Sequence, residues 1–163
     1  MGTQDFHFSG RELPDYIRLS DTQASGTVGN SYATGAWRTM VVNTEEQDDG
    51  GHCALASNQI TLSAGTYAIK ILIPSFYWSS ESLQNLLRVR NTTGSANVLK
   101  WPNFYLSASE AYQTGHFTFD GRFTINASQA LELQIDKSST SNLLANTDGD
   151  SEIYLTAELW KLA

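Results

Sequence analysis

The sequence is poor in cysteine, poor in charge and free of long apolar runs. Cys53 is its one cysteine, which excludes an internal disulfide and a cysteine-based zinc site. No stretch reaches the ~18 apolar residues of a membrane helix, and the N-terminus has no apolar run of signal-peptide length. We therefore expect a chain that is soluble as made, has no membrane partner and relies on its core or on subunit contacts.

The charge balance argues against nucleic acid as a partner. Ten basic residues against 17 acidic ones give a net charge of −7, which repels phosphate backbones unless a local basic patch intervenes. At 163 residues, 40% of them hydrophobic, the chain is long enough for one domain with one core.

Motifs that carry chemistry are also missing. There is no Gly-x-Ser-x-Gly elbow, no phosphate-binding glycine loop and no dinucleotide fingerprint. The histidines His7, His52 and His116 lack metal-ligand spacing, so isolated structural or surface roles are predicted. Cys53 and its neighbour His52 would point to opposite faces of a strand, which favours a buried thiol over a nucleophile and base. We predict no enzyme and no cofactor.

One acidic segment is a weak calcium candidate. Asp148, Asp150 and Glu152 place three carboxylates around a glycine but lack the spacing of a helix-loop-helix calcium site. A plain polar turn is the preferred interpretation.

Strict alternation of apolar and polar residues predicts half-buried strands along most of the chain. The clearest are 117–125, 131–136 and 153–160, and further strands are predicted at 16–19, 37–43, 60–62, 67–73, 83–90 and 98–106. The segments 57–62 and 65–73 are predicted to pair as a hairpin around Ser63-Ala64-Gly65, and 45–51 to form an acidic loop. With no convincing helix and no repeat, we predict an all-β, two-sheet jelly-roll sandwich of about eight to ten antiparallel strands.

Residues 1–14 lack this periodicity and are predicted to be an N-terminal arm ahead of a jelly-roll domain at 15–163. Such a segment frays unless something holds it. Phe6 and Phe8 are its predicted docking residues, against another subunit or another protein.

Five short motifs carry a family resemblance. They are YIRL at 16–19, TGAWRT at 34–39 with Asn43-Thr44, SNQITL at 57–62 with AGTY at 64–67, GRF at 121–123, and ELW at 158–160. In this order they resemble a C1q/TNF-like domain, more closely the short version among virion proteins of tailed bacteriophages. The resemblance covers about residues 15–163. It implies a ten-stranded jelly roll that assembles as a tight homotrimer, with its termini near one end.

Aromatic side chains supply the predicted contact sites. Tyr154 and Trp160 alternate with the aliphatic residues of the last strand, and rings on an outward face suggest the trimer interface; the alternative is that both rings cover loops. Tyr77, Trp78, Trp101 and Tyr105 are candidates for ligand binding, with core or subunit packing as the alternative.

The resemblance leads to a non-enzymatic structural protein of a bacteriophage virion, made in the bacterial cytoplasm. It would be a trimer that decorates or cements the capsid and docks on the major capsid protein or another virion protein. The sequence has no collagen-like repeat or heptad stalk, so we expect another protein to carry it. The alternative is the receptor-binding tip of a tail fibre that recognises a host-surface glycan or protein. Fold analogy alone does not decide between them.

Overall fold

The computed structural model describes residues 13–29, 32–78, 83–102, 104–106, 113–138 and 149–162, and only the backbone at 75–78, 83–85, 104–106 and 113–115. Regular structure in this part of the chain is entirely β-strand. The strands are β1 (Asp15–Gln23), β2 (Arg38–Thr39), β3 (Thr44–Asp48), β4 (Cys53–Ala56), β5 (Gln59–Leu62), β6 (Gly65–Trp78), β7 (Leu83–Asn91), β8 (Ala96–Lys100), β9 (Phe104–Leu106), β10 (Gln113–Ile125), β11 (Gln129–Lys137) and β12 (Glu152–Lys161).

Two antiparallel sheets form a sandwich. Sheet I has five strands in the order β10-β6-β12-β1-β3, and sheet II has seven, with β4-β5-β11-β7-β8 as its path and β2 and β9 paired to β11 and β7. The predicted all-β jelly roll is thus confirmed. The strand number exceeds the prediction because β3 and β4 were not predicted and because the predicted strand 98–106 is divided into β8 and β9. No helix in the described residues is long and apolar enough to cross a membrane.

The core lies between the sheets and is built by alternate residues of both. From sheet I, Tyr67 and Ile71 are fully buried, and from sheet II, Leu87 and Leu133 are fully buried. Period-two alternation places such residues on one face of each strand, so one face of each sheet is apolar. At Gly121 on β10, an added Cβ would lie 2.8 Å from Leu99 Cδ1, so the absence of a side chain there lets the two sheets pack closely.

The predicted hairpin at 57–73 is wrong. β5 pairs with β4 and β11 in sheet II, whereas β6 pairs with β10 and β12 in sheet I, so the chain crosses between sheets at 63–64. Alternation reports that both strands face a core, but it does not report which sheet they join. The actual hairpin is β4–β5, whose two-residue turn has positive φ at Ser57 (50°) and Asn58 (64°), as a type I′ turn requires.

Two neighbouring segments also differ from prediction. The predicted strand 37–43 is strand only at Arg38–Thr39, although Met40 and Val42 are fully buried. The predicted acidic loop 45–51 instead begins with β3, which pairs with β1 at the edge of sheet I. An edge strand tolerates charged residues because one side of it meets solvent, and charges there discourage pairing with other chains.

The last strand departs from strict alternation at its start. Opposite β12, the register of β1 shifts between Asp21 and Thr22, so that Asp21 pairs with Leu155 and Thr22 with Ile153. The extra residue is Tyr154, and a bulge of this kind turns the side chains before it. As a result Ile153, predicted to lie in the core, is 42% exposed, and Tyr154, predicted to face outward, is 2% exposed.

The remaining strand predictions agree with the structure. The predicted strand 83–90 is strand β7, and the predicted strand 98–106 is interrupted around Pro102 into β8 and β9. Proline has no backbone N–H to donate, which explains the break.

Candidate functional site

The outward face of sheet I combines rings, charges and exposed aliphatic groups. We call it the sheet I face. The strand register builds it: Trp160 lies between Tyr16 and Ala68, Glu158 between Arg18 and Lys70, and Thr156 between Ser20 and Leu72. These three rows of side chains project from β1, β12 and β6, the central strands of the sheet.

Contacts within the rows hold the side chains in place. The rings of Tyr16 and Trp160 lie 5.6 Å apart, and the Tyr16 hydroxyl donates to Glu158 Oε1 at 2.9 Å. Arg18 forms an ion pair with Glu46 at 2.6 Å and lies 3.7 Å from Glu158. Partial burial, then the hydrogen bond to Glu158 and its charge, raise the pKa of Tyr16, so the phenol stays neutral.

Apolar groups are exposed on and beside the same face. Leu72, in the middle of β6, is 36% exposed, and Ile153 at the start of β12 is 42% exposed. A hollow of about 150 Å³ beside Leu72 is lined by Arg18, Lys70, Leu72, Thr156 and Glu158. Exposed aliphatic groups rimmed by charged residues are typical of protein interfaces.

The two predicted interface rings occupy different environments. Trp160 lies on the sheet I face and is partly exposed. Tyr154 is buried within its own chain, where its hydroxyl donates to the Thr27 carbonyl and to Glu152. The Tyr154 ring therefore covers a loop of its own chain and offers little surface to a second subunit, whereas Trp160 stays the candidate.

The four candidate ligand-binding aromatics are only partly described. The Trp101 indole N–H donates to the Asp120 carbonyl at 2.7 Å, and its ring packs edge-on against Phe119 at 5.7 Å, as in the packing alternative. The side chains of Tyr77, Trp78 and Tyr105, and the arm residues Phe6 and Phe8, lie outside the described residues.

Glu152, the first residue of β12 and one of the three acidic calcium candidates, is buried and serves the fold. Glu152 is 8% exposed; its Oε1 accepts from Gly26 N at 2.8 Å and its Oε2 from Tyr154. Asp150 is exposed, and Asp148 lies outside the described residues. Within the described ranges, no three His, Cys, Asp or Glu side chains are grouped as metal ligands.

A polar cluster that the sequence did not reveal joins the strand ends near both termini. His52 Nε2 lies 2.8 Å from Asp15 Oδ2, and His52 Nδ1 lies 3.2 Å from both Ser63 Oγ and Lys161 Nζ. The Tyr67 hydroxyl donates to the Ser63 carbonyl at 2.9 Å. The three side chains that contact the His52 ring, Asp15, Ser63 and Lys161, come from positions far apart in the sequence, which is why spacing could not show the cluster.

An Asp-His-Ser arrangement raises the question of catalysis, and the hydrogen bonds favour a structural role. The Lys161 ammonium can only donate, so His52 Nδ1 accepts a hydrogen bond from it. His52 Nε2 then carries the proton and donates a hydrogen bond to Asp15 Oδ2. Lys161 also lies 3.2 Å from Ser63 Oγ, and Tyr67 lies 3.1 Å from it. His52 Nδ1, the nitrogen that would act as the base, therefore contacts the Lys161 ammonium. The Ser63 hydroxyl is already within hydrogen-bond distance of Lys161 and Tyr67. The cluster connects the start of β1, the crossing at 63–64 and the end of β12.

Cys53, predicted to be a buried thiol, is a free thiol that is only partly buried. Burial, followed by the nearby charges of Glu45 and Asp48, raises its pKa from 9.0 to about 12. The nucleophilic thiolate is therefore scarce at neutral pH.

Comparison with known proteins identifies the fold. The sequence matches no protein-family model and no curated protein sequence. Among solved structures, it resembles Eiger TNF from S. frugiperda, with a TM-score of 0.59, 10% identity, and 92% of this chain and 94% of that one covered. It also resembles murine APRIL at pH 8.0, with a TM-score of 0.56, 8% identity, and 90% and 98% of the two chains covered. The fold is a TNF-like jelly roll.

Proposed function

We propose that this chain is a non-enzymatic TNF-like module that works as a homotrimer through its sheet I face. The observation that carries the proposal is the combination on one face of the Tyr16–Trp160 ring pair and the exposed Leu72. The TNF-like fold and the sequence resemblance to C1q/TNF-like domains support three as the number of subunits. Packing one such face against another removes exposed apolar area from water at about 25 cal/mol per Å².

Two substitutions test the face. Trp160→Asp and Leu72→Asp each place a carboxylate where the proposal puts a subunit contact, and an unpaired buried charge costs several kcal/mol. We expect either variant to be monomeric by light scattering, with an unchanged far-UV circular dichroism spectrum. Ala54→Asp is the matched control, because Ala54 is exposed and pairs with Thr61 on the outward face of sheet II. Trimers of unchanged mass in both test variants would contradict the proposed interface.

We further propose that the trimer is a structural protein of a bacteriophage virion that decorates or cements the capsid, docking through Phe6 and Phe8 of the arm. The support is the sequence resemblance given above. Immunogold labelling of purified virions should then show label over the head. Label confined to the tail would favour the receptor-binding alternative, and unlabelled particles would contradict a virion role.

A Phe6→Ala/Phe8→Ala variant should stay trimeric but bind bare capsids less tightly; equal binding would contradict docking by the arm.

A further inference from the structure

The outward face of sheet II carries a cluster of cations that is unusual in so acidic a chain. Arg88 on β7 pairs directly with Lys100 on β8, and Arg90 lies two residues further along the same face of β7. We call Arg88, Arg90, Lys100 and the adjoining Trp37 the cationic patch. Like charges directly opposite each other on neighbouring strands destabilise a sheet. The fold therefore tolerates a repulsion here that a bound anion would relieve.

Neighbouring residues hold the patch in place without neutralising it. The Arg88 guanidinium lies 3.9 Å from the centre of the Trp37 ring and donates from Nε and Nη2 to Gln134 Oε1 at 2.9 and 2.7 Å. Lys100 Nζ lies 6.0 Å from the same ring. An indole and a neutral amide orient cations but carry no negative charge. Among the described residues, none of the three cations forms an ion pair.

The nearest acidic side chains do not remove the repulsion. Glu132, opposite Arg90, has its two oxygens engaged by Gln59, Thr39 and Gln134 at 2.7 to 3.0 Å. Burial would raise the pKa of Glu132, but these hydrogen bonds and the Arg90 charge outweigh it and lower the pKa. Burial and then the charge of Arg90 lower the pKa of Arg88, against the opposing effect of Asp136. The three cations of the patch thus outnumber the two neighbouring carboxylates, Glu132 and Asp136, which offset the repulsion only in part.

From this geometry we propose that the cationic patch binds an acidic polysaccharide through its carboxylates. Arginine pairs with carboxylates through two parallel hydrogen bonds, and lysine adds a point charge. The partly exposed Trp37 indole offers apolar surface beside these cations, which matches a ligand that combines apolar C–H faces with negative groups. The net charge of −7 repels a duplex nucleic acid strongly, because a duplex carries one negative charge per ~1.7 Å. A polymer with fewer charges per length is repelled less, and charges more than about 8 Å apart are largely screened at physiological salt.

The proposed trimer would add avidity but is not required. If the sheet I faces meet in the trimer, the sheet II faces point outward, and three cationic patches reach one polymer. Linked sites of this kind gain affinity without new contacts. The individual patch remains a property of each chain.

Binding of polygalacturonate, measured by calorimetry at low and physiological salt, tests the proposal. Arg90→Gln/Lys100→Gln removes two cations while leaving the Arg88–Trp37 contact. Asn126→Asp/Ser128→Asp, in an exposed turn, changes the net charge by the same amount and serves as the matched control. We expect the wild type to bind with salt-dependent affinity, the patch variant at least about tenfold more weakly, and the control within about twofold of the wild type.

Three results would overturn the proposal. They are no binding by the wild type, an equal loss of affinity in the control, or tighter binding of poly-glutamate or polyphosphate than of polygalacturonate. Light scattering of each sample separates this test from the trimer proposal. A monomeric wild type that still binds through the patch would contradict the trimer and support the cationic patch.

Discussion

At the scale of single residues, Tyr67 shows how one hydroxyl helps to fix the crossing between the sheets. The side chain is fully buried, its ring stacks on Phe123 at 5.6 Å, and its hydroxyl donates to the Ser63 carbonyl. The ring belongs to the core, and the hydroxyl belongs to the polar cluster around His52. The residue thus joins hydrophobic packing to a specific chain path.

Tyr67→Phe separates these two contributions. The variant keeps the ring but leaves the part-buried Ser63 carbonyl without this donor, and a hydrogen bond of this kind contributes about 0.5–1.5 kcal/mol. We expect urea denaturation to show that loss in the free energy of unfolding, with an unchanged m-value. Thr124→Val, which removes an exposed hydroxyl paired with Thr66, should change stability by less than about 0.5 kcal/mol. Equal effects of the two variants would contradict the assigned role.

Cys53 gives a prediction about pH. Its folded-state pKa of about 12 exceeds its usual 9.0, so the unfolded thiol ionises first as the pH rises. The stability that this protonated thiol contributes is fully present below about pH 9 and is lost toward pH 12. We expect the stability difference between wild type and Cys53→Ala to shrink across that range.

The same thiol should also be slow to react. In the folded protein at pH 8 it should react with a disulfide reagent much more slowly than in urea; equal rates would contradict its partial burial.

At the scale of elements, the β4–β5 hairpin depends on two non-glycine residues with positive φ. A left-handed conformation costs an L-residue about 1–2 kcal/mol, and Ser57, at φ 50°, is exposed. Ser57→Gly should therefore raise the free energy of unfolding by up to about 1 kcal/mol. Ala56→Gly, one residue earlier in β4, should lower it by about 0.5–1 kcal/mol. Thermal melts of both variants check the opposite signs, and a destabilised Ser57→Gly would contradict the turn assignment.

Strands were predictable where alternation is long, as at Phe117, Phe119, Phe123 and Ile125 of β10. The sheet that each strand joins could not be predicted. Apolar and polar residues alternate in β5 and β6 in the same way whether the two strands pair with each other or face each other across the core. β3 was missed because its row of acidic residues is typical of loops, and an edge position makes it a strand. The Tyr154 bulge depends on pairing with β1, more than a hundred residues away, which no local pattern encodes.

The candidate site was predictable only in part. Trp160 could be proposed from the sequence because it is a large ring at an outward position of a periodic strand. Its partners Tyr16 and Glu158 come from the register of β1 against β12, and the cationic patch comes from the pairing of β7 with β8. Neither register can be read from spacing, because each pair is set by contacts between separate strands.

At the scale of the whole molecule, the two sheets present surfaces of different chemistry. Sheet I exposes rings and aliphatic groups with a few charges, and sheet II exposes a cluster of cations held by Trp37. A trimer that buries the first surface displays the second. This division connects the fold to the two proposals, since the proposed assembly and the proposed recognition would use opposite sides of one sandwich.

The most direct measurement for this account is the mass of the unmodified chain by analytical ultracentrifugation over a range of concentrations. The account predicts one species of about three times the 17.9 kDa chain mass that persists at micromolar concentration. Raising the salt concentration should leave it intact, because the proposed contacts at Leu72 and Trp160 are apolar and apolar contacts are not screened. A species of 17.9 kDa at every concentration would contradict the central claim that the sheet I face is a subunit interface.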